Sequence, residues 1–358
     1  MRGFKSSWAH SSSLPLATDR RIVTDIVAGL PPDARKRARR TSQPAWVNPM
    51  LATLTDRRFS NPNWIFETKL DGERCLAFKR GSTVRLLSRN RQLLNNTYPE
   101  VVEALERAGS HDVVIDGEIV AFEGKRTSFE KLQGRIGIKD PEAARRTGIP
   151  VFYYVFDLLH VDRYDVTGVG LVLRKGLLRK AVTFRGPVRF ESHRDTEGEA
   201  FYREACANGL EGVIAKRRDS DYVPGKRSPD WLKFKCVNEQ EFVIGGFTDP
   251  AGSRMGFGAL LVGYYERGKL RYAGKVGTGF DTPTLLTLHR KLDARKTTRS
   301  PFADEVKLTS VHWVKPVLVA QIGFSEWTRD GKLRHPRFLG LRTDKAATQV
   351  VRERPQLA

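Results

Sequence analysis

From about residue 46 onward the chain repeatedly alternates apolar with polar side chains, and this period of two constrains the fold more than any other feature. Residues 64–70, 83–88, 113–122, 151–158, 212–216 and 231–235 read as short strands. Residues 99–108 and 196–208 between them read as helices. Strands mixed with helices in this way predict an α+β domain built on antiparallel sheet.

Near residues 237–241 the character shifts and glycine becomes dense. Residues 242–247, 259–265 and 270–276 read as further strands, the last two joined as a hairpin through Glu266-Arg267-Gly268-Lys269. A small β-barrel of the OB type fits, with the boundary at 238–240. Gly274, Gly277 and Gly279 lack the order of a dinucleotide fingerprint and read as a barrel loop. The expected organisation is a basic, poorly ordered arm (1–45), an α+β domain (46–238), a barrel domain (239–350) and a tail (351–358). The arm carries Ser11, Ser12 and Ser13 and the run Arg35-Lys36-Arg37-Ala38-Arg39-Arg40.

The 62 Lys and Arg outnumber the 41 Asp and Glu, for a net charge of +21. A field of that size draws polyanions, and nucleic acid is the leading partner. Cys75, Cys206 and Cys236 form no CxxC pair, so neither a zinc site nor a disulfide is expected, and a reducing cytosol fits. No apolar run approaches a membrane span and no signal-type stretch opens the chain. A monomer without membrane attachment is expected.

Chemistry concentrates in a few segments. In Glu67-Thr68-Lys69-Leu70-Asp71-Gly72-Glu73-Arg74, alternation puts Ile65, Glu67 and Lys69 on one face, with Trp64, Phe66 and Leu70 on the core face. Val113–Val120 is an apolar strand interrupted by Asp116 and Glu118, acids that are costly unless paired or bound to a cation. Phe156 and Asp157 lie in a very apolar strand, Glu211 stands at the mouth of the strand ending in Lys216, and Lys233 and Lys235 share one face. Two like charges side by side call for an anion between them. Glu118 and Glu211 suit a divalent metal held by few carboxylates plus phosphate oxygens. Lys69 is the candidate nucleophile.

The ordered set resembles the covalent nucleotidyltransferases: DNA ligases, RNA ligases and capping enzymes. The family pattern KxDGxR appears as Lys69 to Arg74, followed by Ser88-Arg89-Asn90, the Asp116-Gly117-Glu118 strand, Phe156-Asp157, Glu211-Gly212 to Lys216, and Lys233 with Lys235. Arg342-Thr343-Asp344-Lys345 matches the ending of ATP-dependent DNA ligases. Asn48 to Ala52, Tyr272 to Phe280 and Arg337 to Arg342 are most similar to the ligase module of bacterial nonhomologous end joining. The resemblance spans about residues 46–350 and leaves no room for polymerase or phosphoesterase modules, or for a large helical DNA-binding domain ahead of the core.

The resemblance implies an adenylation domain followed by an OB-fold domain, with ATP and Mg²⁺ or Mn²⁺ as cofactors. It implies that Lys69 carries AMP and that the enzyme seals nicked or broken double-stranded DNA. Lys233 and Lys235 would hold the α-phosphate, Phe156 would stack on adenine, and Glu67 would bind the nucleotide. Arg74 and Arg89 would serve ribose, phosphate or the nick, with Lys216 and Arg227 as further phosphate contacts. Arg342 and Lys345 would reach ATP only when their domain closes over the site. Cations around Lys69 are expected to favour its neutral amine. A Ku-like end-binding protein is the implied partner and the bacterial cytosol or nucleoid the implied location. An RNA ligase, a GTP-using capping enzyme and a non-catalytic OB-containing DNA-binding protein are the alternatives.

Overall fold

A computed structural model describes residues 25–236, 238–252 and 254–354. The first sheet orders Arg39–Arg40, Tyr164–Asp165, Val151–Val161, Val113–Glu123, Glu73–Arg80 and Thr83–Ser88 from edge to edge. Val188–Phe190 joins Val151–Val161 in parallel, and Arg126–Thr127 pairs with Val113–Glu123. The second sheet orders Arg194–Thr196, Asn61–Thr68, Gly212–Arg217, Arg227–Lys235 and Leu51–Leu54, the last pair parallel. The other ladders are antiparallel, as expected for this α+β class.

Alternation along each strand builds two cores. One face of the first sheet buries Cys75, Ala77, Ile115, Tyr153 and Val155 beneath the helices Pro99–Glu106 and Leu171–Ala181. The opposite face carries Leu76, Phe78, Val114 and Phe156 and meets Trp231 of the second sheet. The far side of the second sheet packs Phe66, Val213, Ala215 and Phe234 on Phe201 and Ala205 of the helix Gly198–Ala207. Where the inward faces of the two sheets turn polar, a cavity opens between them.

Two glycines of the sequence pattern are steric necessities. A Cβ on Gly72 would lie 2.1 Å from the Ile119 carbonyl oxygen. One on Gly212, at φ +150°, would lie 1.9 Å from that of Phe234. These close approaches bring the ends of three strands together beside Lys69.

The third sheet orders Lys269–Val276, Leu260–Glu266, Asn238–Thr248, Val311–Phe324 and Lys296–Thr297, with Arg337–Arg342 also on Val311–Phe324. A bridge between Thr278 and Arg337 draws its free edges together, curling it around Phe242, Leu261, Val262, Ala273 and Ile322. The helix Thr282–Asp293 contributes Leu285, Leu288 and Leu292 to that core. The predicted hairpin is present, with Glu266 opposite Lys269 and both loop residues at positive φ, as a two-residue type I′ turn requires.

Three expectations are corrected. Residues 25–45 do not form a poorly ordered arm. Asp25 caps Ile26–Gly29, Val27 and Leu30 enter the first core, and Pro32–Arg37 is helical. The basic run meets acids: Arg37 pairs with Asp221, and Arg39 with Asp165 at 2.7 Å. Ser11, Ser12 and Ser13 lie outside the described residues. The expected tail is packed through residue 354: Val350 is buried and Val351 bridges Tyr265. Finally, Cys206 and Cys236 form a disulfide, their Cα atoms 5.1 Å apart. The thiols meet because the C-terminal end of the helix Gly198–Ala207 abuts the end of Arg227–Lys235, a proximity that spacing in sequence does not encode. The argument from thiols to a reducing compartment falls with it.

Candidate functional site

Lys69 stands one residue beyond the strand Asn61–Thr68, its N–H bonded to the Gly212 carbonyl at 2.9 Å. Its ammonium forms an ion pair with Glu211, in a position only partly open to solvent. Burial pushes the amine's pKa down, but Glu211, aided by Asp71 and Glu118, overrides this and holds it above the ordinary lysine value. Among the protein's own groups, the charges of these acids outweigh the cations that were expected to favour a neutral amine.

Glu67 does not meet Lys69. It sits between Lys175 and Lys216, the latter at 2.6 Å, all three almost wholly buried. Burial alone would raise the Glu67 pKa, and the two ammoniums reverse that and hold it below the usual carboxylate range. Lys216 also lies over the rings of Phe156 and Trp231, at 4.2 and 4.1 Å from their centroids. Phe156 packs edge-on against Trp231, and Arg74 stacks over Phe156 at 4.6 Å. Arg74 is engaged bidentately by Asp116, both contacts at 2.6 Å, so its fork is already committed within the protein.

Glu118 lies directly across the ladder from Arg74. Burial raises its pKa to about 8, against the pull of Arg74 and Lys69. The Oε2 of Glu211 is buried and finds no hydrogen-bond partner among the described residues. Glu118, with its pKa raised by burial, and Glu211, with one unpartnered oxygen, flank one cavity and have the chemistry of a site for a hard divalent cation. Among the described residues no cluster of three or more His, Cys, Asp or Glu side chains is arranged to hold a metal, so such an ion would need oxygens from elsewhere.

Lys233 and Lys235 project from one face of their strand. Burial and the neighbouring charge of Lys235 lower the Lys233 pKa to about 8. The second domain covers them. Gln133 exchanges hydrogen bonds with the backbone of Leu341 at 2.6 and 3.1 Å, and Gln92 donates to the Thr343 carbonyl at 2.8 Å. Arg342 lies over Phe129 at 4.3 Å and is held bidentately by Asp344, while Lys345 pairs with Glu241 at 2.9 Å.

One cavity is lined by Glu67, Lys69, Arg74, Arg89, Glu118, Phe156, Lys216, Arg227, Lys233, Arg342 and Lys345 together. Its continuation is lined by Lys69, Glu118, Glu211, Lys233, Lys235 and Arg342. Every residue given a site role from the sequence therefore lines one of these two adjoining spaces, in a closed arrangement of the two domains. Sequence reasoning missed Lys175, Asp116 as the partner of Arg74, and Glu353, which reaches Lys233 and Lys235 at 2.5 and 2.8 Å. A buried Glu67 demands cations, and that demand was the available signal for Lys175.

Comparison with known proteins agrees. The model of the ATP dependent DNA ligase domain matches residues 49–235, and that of the ATP dependent DNA ligase C terminal region matches 253–345. The multifunctional non-homologous end joining protein LigD of Pseudomonas aeruginosa is 36% identical over 337 residues, 92% of this chain and 39% of that protein. Its Mycobacterium tuberculosis counterpart is 38% identical over 315 residues, 85% and 40% of the two chains. The chain thus spans about two fifths of the length of these relatives. A solved structure of mycobacterial DNA ligase D complexed with ATP and MES superposes with a TM-score of 0.62 at 36% identity, over 86% of this chain and 98% of that one. With both domain models matched in order and the fold shared, the chain belongs to the ATP-dependent DNA ligases.

Proposed function

We propose that this chain seals 5′-phosphate/3′-hydroxyl nicks in double-stranded DNA, using ATP and a covalent AMP on Lys69. The observation that carries the reading is the convergence of Lys69, Glu118, Glu211, Lys233, Lys235, Arg342 and Lys345 on one connected cavity. Nucleophile, carboxylates and phosphate-binding cations are what phosphoryl transfer needs, because its catalysis rests on positioning and charge stabilisation.

In the first step the Lys69 amine, once deprotonated, attacks the α-phosphorus of ATP. A P–N bond forms, the bond to the β-phosphate oxygen breaks, and pyrophosphate leaves. Lys233 and Lys235 stabilise the charge that builds on the α-phosphate oxygens. Arg342 and Lys345 orient the outgoing phosphates from the second domain. In the second step the 5′-phosphate of the nick takes the AMP from Lys69. In the third, the 3′-hydroxyl attacks that activated phosphate and expels AMP. Phe156 and Trp231 supply an aromatic wall for the base, Glu67 with Lys216 lies where the nucleoside would seat, and Arg89 and Arg227 complete the phosphate contacts.

Glu118 and Glu211 would hold Mg²⁺ or Mn²⁺. That charge would draw Glu211 off Lys69 and favour the neutral amine. The second domain, closed over the cavity for Lys69 charging, would rotate away to clamp DNA for sealing, so closed and open arrangements would alternate through the cycle.

The end-joining names of the relatives support a role in break repair, and to that role we add, as part of the proposal, the bacterial nucleoid as location and a Ku-like end-binding protein as recruiting partner. Among the described residues no helix is long and apolar enough to cross a membrane.

Incubation with ATP and Mg²⁺, followed by peptide mass spectrometry, tests the reading. One adenylate is expected on the peptide carrying Lys69, none in Lys69→Ala, and sealing of nicked DNA with ATP in preference to GTP. Adenylate on another side chain, or sealing of nicked RNA alone, would overturn it.

A further inference from the structure

The segment 350–354 passes from the curled sheet onto the lysine pair of the first domain. Tyr265 N–H donates to the Val350 carbonyl at 2.7 Å, and Val351 bridges Tyr265. Gln240 donates to the Val351 carbonyl at 3.1 Å and accepts the Glu353 N–H at 2.9 Å. Arg352 covers Trp327 at 4.1 Å from its centroid. Fastened at these points, the segment delivers the Glu353 carboxylate between Lys233 at 2.5 Å and Lys235 at 2.8 Å.

That carboxylate lines the same cavity as Lys69. Burial would raise its pKa, but the two lysines more than compensate and keep it ionised. Two adjacent ammoniums require an anion, and here the protein supplies its own. The proposed function gives the same two ammoniums a different anion, the α-phosphate of ATP. A carboxylate and a phosphate oxygen accept the same charged hydrogen bonds, and one seat cannot hold both.

We propose that Glu353 is a built-in competitor for the phosphate seat of Lys233 and Lys235, so that ATP binds productively only when residues 350–354 release the carboxylate. The proposal rests on the reading of those lysines as the α-phosphate site. Its consequence is an apparent ATP affinity reduced by the fraction of molecules in which the seat is free. Return of Glu353 after AMP transfer would also help clear the seat of spent phosphate.

Two measurements on the full chain test it. First, the ATP dependence of Lys69 adenylylation is compared between the native chain and Glu353→Gln, which keeps the shape and removes the charge. The half-saturating ATP concentration is expected to fall about tenfold with the final extent unchanged. An unchanged or raised value overturns the proposal, a raised value meaning that Glu353 positions the lysines for substrate. Second, amide hydrogen exchange is followed in the native chain with and without ATP. Exchange at 351–354 is expected to quicken on adding ATP as the Glu353 N–H leaves Gln240, and unchanged protection overturns the proposal even if the variant does not fold. Adenylylation without either effect defeats the competitor and leaves the ligase reading standing. Faster exchange without adenylylation defeats the role of Lys69 and leaves the competition for the seat standing.

Discussion

Lys69 is ion-paired with Glu211 where the strand leading to the lysine ends against the strand that Glu211 precedes. The backbone bond from Lys69 N–H to the Gly212 carbonyl fixes that meeting, and Gly212 tolerates it because it lacks a side chain. One oxygen of Glu211 serves the amine while the other is buried without a partner among the described residues. The proposed metal would take that unpartnered oxygen.

This predicts how the site depends on metal. Glu211→Gln and Glu118→Gln should each raise the Mg²⁺ or Mn²⁺ concentration needed for half-maximal Lys69 adenylylation by at least about tenfold. The readout is a metal titration of adenylate formation at saturating ATP. An unaltered midpoint in both variants would falsify the assignment of these two acids to the metal.

The second domain makes a separate prediction. Arg342 and Lys345 reach the cavity in an arrangement in which Gln133, Gln92 and Phe129 contact the second domain. Arg342→Ala and Lys345→Ala should therefore slow Lys69 charging far more, about 10²-fold, than they slow sealing of a nick already carrying AMP. Single-turnover assays of the two half-reactions separate the effects. Equal losses in both would reject the division of labour between closed and open forms.

How much of this was legible beforehand follows from what is local. Strand periodicity and the segments around Lys69, Glu118, Phe156, Glu211 and Lys233 are short-range patterns, and all appear where expected. Partners contributed from far along the chain do not announce themselves. Arg174 and Lys175 carry no local signal in the sequence, yet both are buried because their helix packs on the strand Val151–Val161. Arg174 then meets Asp157 at 2.7 Å and Lys175 meets Glu67. Glu353 reads as tail because its anchors, Tyr265 and Gln240, lie on other strands. Residues 25–45 read as disordered from their charge, and two apolar side chains, Val27 and Leu30, decide otherwise.

The buried network behind the site makes stability depend on pH. Burial, with the Glu67 charge adding to it, raises the Glu191 pKa to about 8, against the pull of Lys175 and Lys216. The folded form therefore binds a proton more tightly than the unfolded chain, whose carboxyl titrates at about 4.3. Its contribution is fully present below that value and is lost as pH rises through about 8. Urea melts between pH 5 and 9 should show falling stability for the native chain and a shallower decline in Glu191→Gln. Parallel slopes would remove Glu191 from the explanation.

The disulfide gives the last prediction. Cys206 and Cys236 are 30 residues apart, and closing a loop of that size stabilises a fold by about 3–4 kcal/mol through the unfolded chain. The bond also bears on the chemistry. Cys236 follows Lys235 directly, and its N–H donates to the Glu211 carbonyl at 2.9 Å, so the cross-link steadies both a candidate phosphate-binding lysine and the acid paired with Lys69. Both cysteines are partly exposed, which leaves the bond open to reductant. Treatment with dithiothreitol should lower the melting temperature and slow Lys69 charging together, whereas a Cys206→Ser, Cys236→Ser chain should already show both defects and respond to reductant no further. If reductant leaves the native chain's melting and charging unaltered, the cross-link has no part in holding the site.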